Sequence, residues 1–488
     1  MSRRPLLASA LAVALVVAGI GVTATWQRDD EPAPQRRSSP TTAAVTTTTG
    51  LVGQPGASGV GDGYFPLLGN GGYDVAHYNL ALAWAPDTGS ITGTATIEAL
   101  ATQDLSRFDL DLVGLDVASV TVDGVAAAVA RHDRELEITP IAVIPRAARF
   151  ITVVQYSGVP ERVGDGTDLF DAGWQVAGRE AYVLSEPSGA ATFFPVNDHP
   201  VDKATYSFAV TAPADQVVVT NGLLVDHHEV PGGQQQWDYE ARDPMASYLV
   251  QIAIGDFELI DGGRAGDVVI RHAFHRGATT AAKAVAGRSA EMIDVLDDVF
   301  GPFPFEVYGV LVVKGRLRVA LETQTLTIIG TDVGTTRAGA ERVLVHELAH
   351  QWAGNAVSAS TWQDIWLNEG FATYAEWLWV ERTGGPSAAA SARANASRRD
   401  LGPPPGDPGP TELFSRTVYL RGAMTLQALR EAIGGDAFFT VLRTWIEEHR
   451  YDVASTTDFV ALAERVSGRQ LDGLFLRWLY SPGLPSLP

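Results

Sequence analysis

His346-Glu347-Leu348-Ala349-His350 sets two imidazoles four residues apart, and Glu369 follows 19 residues after the second. On a helix, positions i and i+4 share a face, so both rings can offer a nitrogen to one ion. Glu347 stands one step round that helix, close to the ion without having to ligate it. The interval to Glu369 lets the chain turn and return as a second helix carrying a third ligand. Two histidines, a carboxylate and a vacant corner describe a catalytic zinc site, whereas a structural site is closed by a fourth protein ligand. His-Glu-x-x-His also arises by chance in long helices. Glu369, inside the aromatic-rich Trp366-Leu367-Asn368-Glu369-Gly370, is what lifts the pattern above chance.

These residues need rigid elements to carry them. Val343 to Trp352 and Trp366 to Val380 both read as helices. Upstream, Met292, Leu296, Val299 and Phe300 keep helical spacing until Gly301-Pro302-Phe303-Pro304 breaks it. Val310 to Val313 and Leu326 to Ile329 look like strands, and the chain beyond Tyr419 is largely helical. From about residue 63 to 260 the dominant period is two: Tyr78, Leu80, Leu82 and Trp84 alternate with small or polar residues, as do Phe108, Leu110 and Leu112. Asn221-Gly222 and Pro231-Gly232-Gly233 read as hairpin turns. The fold class is therefore multidomain α+β. An N-terminal antiparallel β saddle or sandwich domain covers 61–260, a mainly α domain covers 261–488, and there is no internal repeat.

Composition narrows the function. A chain of 488 residues exceeds one core and predicts two or three domains. The net charge of -21 argues against nucleic acid and against adhesion to anionic lipid. No cysteine is present, which excludes disulfides and thiolate ligands. Arg3 and Arg4 precede an apolar run from Leu6 to Val22, ending at Val22-Thr23-Ala24. That segment, residues 1–26, is either a secretory signal cleaved near Ala24 or an uncleaved membrane tether. Either way the protein is expected to be exported, extracellular or in the cell envelope. Residues 27–60, rich in Thr, Ser, Pro and Gly, are expected to be a disordered spacer.

HELAH, the 18-residue gap and WLNEGFA resemble the aminopeptidase N and leukotriene hydrolase family of gluzincin metallopeptidases. The likeness covers nearly the whole folded region: Tyr73-Asp74-Val75-Ala76-His77-Tyr78, Glu186-Pro187 with Phe194-Pro195-Val196-Asn197-Asp198, Gly301-Pro302-Phe303-Pro304-Phe305, Leu321-Glu322-Thr323-Gln324-Thr325 and Tyr419-Leu420-Arg421-Gly422-Ala423 follow in family order. The resemblance implies a thermolysin-like catalytic domain with one Zn2+ per chain, bound by His346, His350 and Glu369. It implies Glu347 as general base and Tyr419 as the donor that stabilises the oxyanion. Glu322, Ala320 and Glu186 would bind the substrate, the two carboxylates gripping the free ammonium of a peptide's first residue. Peptides with a free N-terminus are thus the expected substrates; oligomeric state is not legible. The chain ends about 70 residues past Tyr419, where larger relatives continue into a long helical domain, so a short form with a more open cleft is expected.

Several residues depart from the family pattern. Val319 and Thr323 stand where Gly and Asn are usual. Leu184 replaces a frequent Gln and is expected to make the pocket for the first side chain more apolar. His199 reads as surface or packing variation. Asp364 is either a partner behind a ligand histidine or a helix cap. His227-His228 and His272 with His275 read as exposed strand positions without carboxylate partners. Two other functions stay open at this level: a lipid-epoxide hydrolase on the same scaffold, and an inactive cell-envelope peptide-binding protein.

Overall fold

A computed structural model describes residues 52–164, 171–331, 333, 336–397 and 402–487. The N-terminal apolar run and most of the expected spacer lie outside the described residues. The end of that spacer does not: Gln54–Pro55 pairs in parallel with the strand Leu105–Asp111. Its order comes from backbone bonds instead of apolar burial. The amides of Gln54 and Gly56 donate to the carbonyls of Asp104 and Arg107 at 2.7 and 2.8 Å.

Alternation produces the expected strands. Tyr78, Leu80, Leu82 and Trp84 are buried on one face of Tyr73–Ala85. This strand sits inside an eight-stranded sheet between Ser90–Ala101 and Lys203–Pro213. The first pairing is antiparallel and the second parallel, so the sheet is mixed. The parallel pair is reached by a crossover of more than a hundred residues, which no local turn signal announces. Tyr78 stacks on Tyr206 at 5.0 Å across that pair. Trp84 meets Trp174 of a second, five-stranded sheet at 5.6 Å, giving the sandwich its core.

One expected hairpin is absent. Asn221-Gly222 joins Val217–Thr220 to Leu223–Val230, yet the two strands lie in different sheets. The Asn221 side chain instead accepts from the Gln251 amide at 2.6 Å and donates to the carbonyls of Leu249 and Gln324. Gly222 has φ 75, and a Cβ there would sit 1.9 Å from the Glu240 carbonyl oxygen. Only glycine fits. The turn at Pro231-Gly232-Gly233 does close a hairpin, pairing Val230 with Gln234.

The second half opens on the strand Phe257–Ala265, which runs across residue 260 and pairs with Val268–His275. Val310–Val313 and Thr327–Gly330 extend that sheet in parallel. Around it lie the helices Ser289–Phe300, Arg337–Ala349, Trp366–Arg382 and Arg416–Ile433. The helix of the two histidines starts earlier than Val343, because the Thr336 side chain caps it by accepting from the Gly339 amide. Among the described residues no helix is long and apolar enough to cross a membrane.

Every residue of the Glu369 helix from Trp366 to Trp379 is buried, so it forms the centre of this half. Its closest neighbour is the Tyr419 helix, and the approach is set by two glycines. A Cβ on Gly370 would stand 2.9 Å from the carbonyl carbon of Gly422, and one on Gly422 would stand 3.0 Å from Cα of Gly370. A helical glycine costs about 1 kcal/mol against alanine, so this backbone contact is what favours keeping both. Gly370 directly follows Glu369 and Gly422 lies one turn after Tyr419, so the contact carries phenol and carboxylate toward each other. Gly422→Val is expected to lower unfolding free energy by about 1–3 kcal/mol, as overpacking does. Urea denaturation measures it, and an unchanged midpoint would refute the close-approach argument.

Candidate active site and metal centre

His346 and His350 point their Nε2 atoms at the same oxygen, Oε2 of Glu369, at 3.1 and 3.5 Å. The opposite nitrogen of each ring is tied down. His346 Nδ1 meets Glu376 Oε1 at 2.9 Å, and His350 Nδ1 meets the Ala353 carbonyl at 3.2 Å. Those contacts fix ring orientation and leave both Nε2 atoms for a ligand. The three atoms that could ligate one ion lie within 4.8 Å of one another. Two imidazoles and one carboxylate beside an open cavity are the donor set that suits a four-coordinate divalent cation such as zinc, with one position left for substrate or water.

Glu376 is a member of the site that the sequence reading does not single out. Its Oε2 is held by Arg342 through Nε and Nη2 at 2.9 and 2.8 Å, which turns Oε1 toward His346. A signal existed: Glu376 is seven residues past Glu369, two turns along the same face. Asp364, one candidate for that supporting position, does something else. Its Oδ1 accepts from the amide and hydroxyl of Thr456, tying down the start of the helix Thr456–Ser467.

The cavity at the three ligands, about 170 Å³, is also lined by Glu186, Val319, Ala320, Leu321, Glu322, Glu347, Phe414 and Tyr419. All eight residues singled out in the sequence therefore converge; Phe414 gave no sequence signal. Glu347 is buried, and burial pushes its carboxyl up to about 8 against the pull of the two imidazoles. A dication alongside would lower that value, since an opposite charge within a few ångströms favours the ionised form. Burial would raise Glu369 too, but the charge on His350 and the hydrogen bonds from both rings outweigh it, holding Glu369 at about 2. Its place in the first helical turn adds a favourable dipole.

Tyr419 stacks on His346 with ring centres 5.7 Å apart and planes 19° from parallel. Burial first, then the carboxylates of Glu369 and Glu186, push the phenol well above its usual range. It keeps its proton and so is available as a hydrogen-bond donor.

Glu322 belongs to a loop clamped by amides. Its carbonyl accepts from Gln351 Nε2 at 2.9 Å and Asn355 Nδ2 at 2.7 Å, while the Thr325 amide donates to Gln351 Oε1 at 2.8 Å. Thr323 bonds back to the Leu326 carbonyl, closing the turn from within. Oε1 of Glu322 is buried without a hydrogen-bond partner among the described residues, and burial raises its pKa. Glu186, also buried, follows the strand Glu180–Leu184 and precedes a cis bond to Pro187. Tyr248 is buried beside these carboxylates, which with burial raise its phenol well above 10.0.

Other expectations need correcting. Leu184 packs in a small core with Phe257 and Leu321 and is absent from the cavity wall. Of the two readings of His199, packing is the one the structure shows: it is buried, 3.3 Å from Asp62. His272 and His275 are buried: His272 Nδ1 accepts from the Val310 amide, and His275 lies 3.2 Å from Glu180. His228 does have carboxylate neighbours, Asp226 at 3.1 Å and Asp238 at 3.9 Å, on the exposed hairpin.

Two family descriptions match: the Peptidase M1 N-terminal domain over residues 75–249 and the Peptidase family M1 domain over 288–478. Aminopeptidase M1 of Arabidopsis thaliana is 26% identical over 325 residues, covering 62% of this chain and 36% of the relative. Endoplasmic reticulum aminopeptidase 1 of Homo sapiens is 25% identical over 418 residues, covering 78% and 44%. The chain thus spans less than half the length of these relatives. A crystal structure of an M1 zinc metallopeptidase from Deinococcus radiodurans superposes with TM-score 0.82 at 34% identity, covering 88% of this chain and 98% of that one. A variant of that protein, bound to a Tyr-Ser-Ala substrate, superposes with TM-score 0.81 at 34% identity and covers 88% and 99%.

Glu376→Gln leaves the three ligands in place but exchanges the anion behind His346 for a neutral amide. Divalent-cation affinity is expected to fall by about 10–100-fold, as loss of such supporting groups does elsewhere. Competition with a chromogenic chelator reads it; unchanged affinity would refute the role.

Proposed function

This chain belongs to the M1 peptidase family, and from that premise we propose that it is an exported zinc aminopeptidase. The observation that carries the reading is that a cation-binding trio and two further carboxylates, Glu186 and Glu322, open into one small cavity. His346, His350 and Glu369 would hold the zinc. When bound, the ion supplies Lewis-acid polarisation of the scissile carbonyl and a water of lowered pKa. The remaining work falls to side chains.

Glu322 and Glu186 receive the substrate's ammonium. Two carboxylates in a buried site balance one cation well, and the charge-assisted bonds fix the first residue in register with the scissile bond. Cleavage is thereby confined to the N-terminal peptide bond. Ala320, near Glu322 along the wall, offers main chain to the substrate backbone. Glu347 takes a proton from the attacking water and returns it to the leaving amine. Tyr419 donates a hydrogen bond to the carbonyl oxygen as charge gathers on it, a contact stronger in the transition state than in the ground state.

A panel of aminoacyl fluorogenic amides and N-acetylated peptides tests this. Turnover of the free-amine substrates should be lost on chelation and restored by zinc, with N-acetylated peptides left intact. Glu347→Gln should bind zinc normally and lose turnover by at least about 100-fold. Cleavage of acetylated peptides at equal rate would instead indicate an endopeptidase and remove the role of Glu322 and Glu186.

Export is supported by Arg3 and Arg4 ahead of the apolar run Leu6 to Val22. The whole chain expressed in a bacterial host is expected outside the cytoplasm or in the membrane fraction. Activity confined to the cytosol would argue against export.

A further inference from the structure

The two carboxylates assigned to the substrate ammonium come from opposite halves of the chain, so their separation depends on what ties those halves together. Glu186 follows the strand Glu180–Leu184, and Glu322 lies on the loop ahead of Thr327–Gly330. Two fully buried side-chain amides, Gln251 and Asn221, form a relay between them. At one end Gln251 grips Val183, three residues before Glu186. The Val183 amide donates to Gln251 Oε1, and Gln251 Nε2 donates to the Val183 carbonyl, both at 3.0 Å. The strand of Val183 pairs with Ile252–Gly255 at Ala181 and Ile254, and beyond that point the Gln251 side chain serves as its partner. In the middle of the relay, the Gln251 main-chain amide donates to Asn221 Oδ1 at 2.6 Å. At the other end Asn221 Nδ2 donates to the carbonyl of Gln324 at 2.6 Å, two residues past Glu322, and to that of Leu249 at 3.0 Å. The Leu249 carbonyl also accepts from the Gln324 amide at 3.2 Å.

Two features set this relay apart from ordinary core packing. Thr325, in the Glu322 loop, has φ 64, a left-handed conformation unfavourable for a β-branched residue. Its hydroxyl accepts from the amide of Gly222, the neighbour of Asn221, at 2.9 Å. Such strain persists only where the surroundings over-determine the backbone, and here they fix the loop that presents Glu322. The relay also brings no charge to a cavity that already holds four carboxylates. An amide offers donor and acceptor while staying neutral, and each oxygen and nitrogen of these two side chains meets a main-chain group.

We propose that Gln251 and Asn221 are positioning residues that fix the separation of Glu186 and Glu322, and so set how strongly the site prefers a ligand with a free ammonium. The inference rests on the aminopeptidase reading, in which those carboxylates receive that ammonium. Neither amide lines the cavity, so both act through the main chain that carries the carboxylates. Removing either frees one carboxylate to shift against the other, and a misplacement of about 1 Å is enough to cost up to about 100-fold.

The test is calorimetric, on the zinc-loaded full chain. It compares leucine hydroxamate with isocaprohydroxamate, which keeps the same side chain and metal-binding group but lacks the amine. The wild type is expected to bind the amine-bearing ligand about 10–100-fold more tightly, as hydrogen bonds to charged groups allow. Asn221→Ala and Gln251→Ala should cut that ratio by about 10-fold while leaving affinity for isocaprohydroxamate unchanged. Gln251→Glu, which keeps the size of the side chain and an acceptor for the Val183 amide, is the milder variant should an alanine protein fail to fold. Tyr73→Phe removes a buried hydrogen bond to the Asp109 carbonyl outside the cavity wall, and should keep the wild-type ratio. A ratio that survives in the Asn221 and Gln251 variants, or that falls equally in Tyr73→Phe, would overturn the proposal and leave the aminopeptidase reading standing. So would an equal loss of affinity for both hydroxamates. A wild type that binds the two ligands equally well would remove the ammonium site itself, and the proposal with it.

Discussion

Four carboxylates, Glu186, Glu322, Glu347 and Glu369, share one buried cavity with two imidazoles, and this crowding of like charge is the constraint around which the molecule is organised. Two like charges 5 Å apart repel by about 3 kcal/mol even at an effective dielectric constant near 20, and burial adds a desolvation cost for each. A closed core would not tolerate that arrangement. Under the proposed reading, a dication at the histidines and a substrate ammonium at the far carboxylates would bring the opposite charges that make it tolerable.

Holding such a site open requires a scaffold that cannot relax around it. The Glu322 loop is gripped from both halves of the chain. From one side Gln351 and Asn355, just past His350, bind the main chain at Glu322 and Thr325. From the other, Asn221 donates to the Gln324 carbonyl, and the Gly222 amide donates to Thr325 Oγ1 at 2.9 Å. Lys203, on a strand of the large sheet, donates to the carbonyls of Asn355 and Ala356 at 2.9 and 3.1 Å. Asp62 accepts from the Trp362 amide ahead of the Glu369 helix. With no cysteine in the chain, these buried polar ties do the long-range stapling. Each would be costly to break, because its loss strands a buried donor or acceptor.

The helices of His346, Glu369 and Tyr419 are legible in the sequence because helical periodicity, capping and chemical spacing are local properties. The strands around Tyr78 and Phe108 are legible for the same reason, their alternation being local. What escapes is non-local. Asn221-Gly222 has the composition of a hairpin turn, but its amide is used to hold another part of the molecule, and no local pattern records which carbonyls it reaches. Glu376 reads like any helix glutamate until His346 and Arg342 are beside it. His272 and His275 escape because polar residues in a strand pattern read as outward, yet each is buried with a polar neighbour.

The two glycines at the centre link this scaffold to the chemistry. In the proposed mechanism, Tyr419 reaches a carbonyl oxygen at the metal only if its helix lies almost in backbone contact with the helix of Glu369. Gly370 and Gly422 allow that approach, and the fully buried stretch from Trp366 to Trp379 fixes the axis against which it is made. Glu369 and Tyr419 are therefore not positioned independently. Any shift of one helix along the other moves both, which makes the helix interface as much a part of the active site as the side chains that line it.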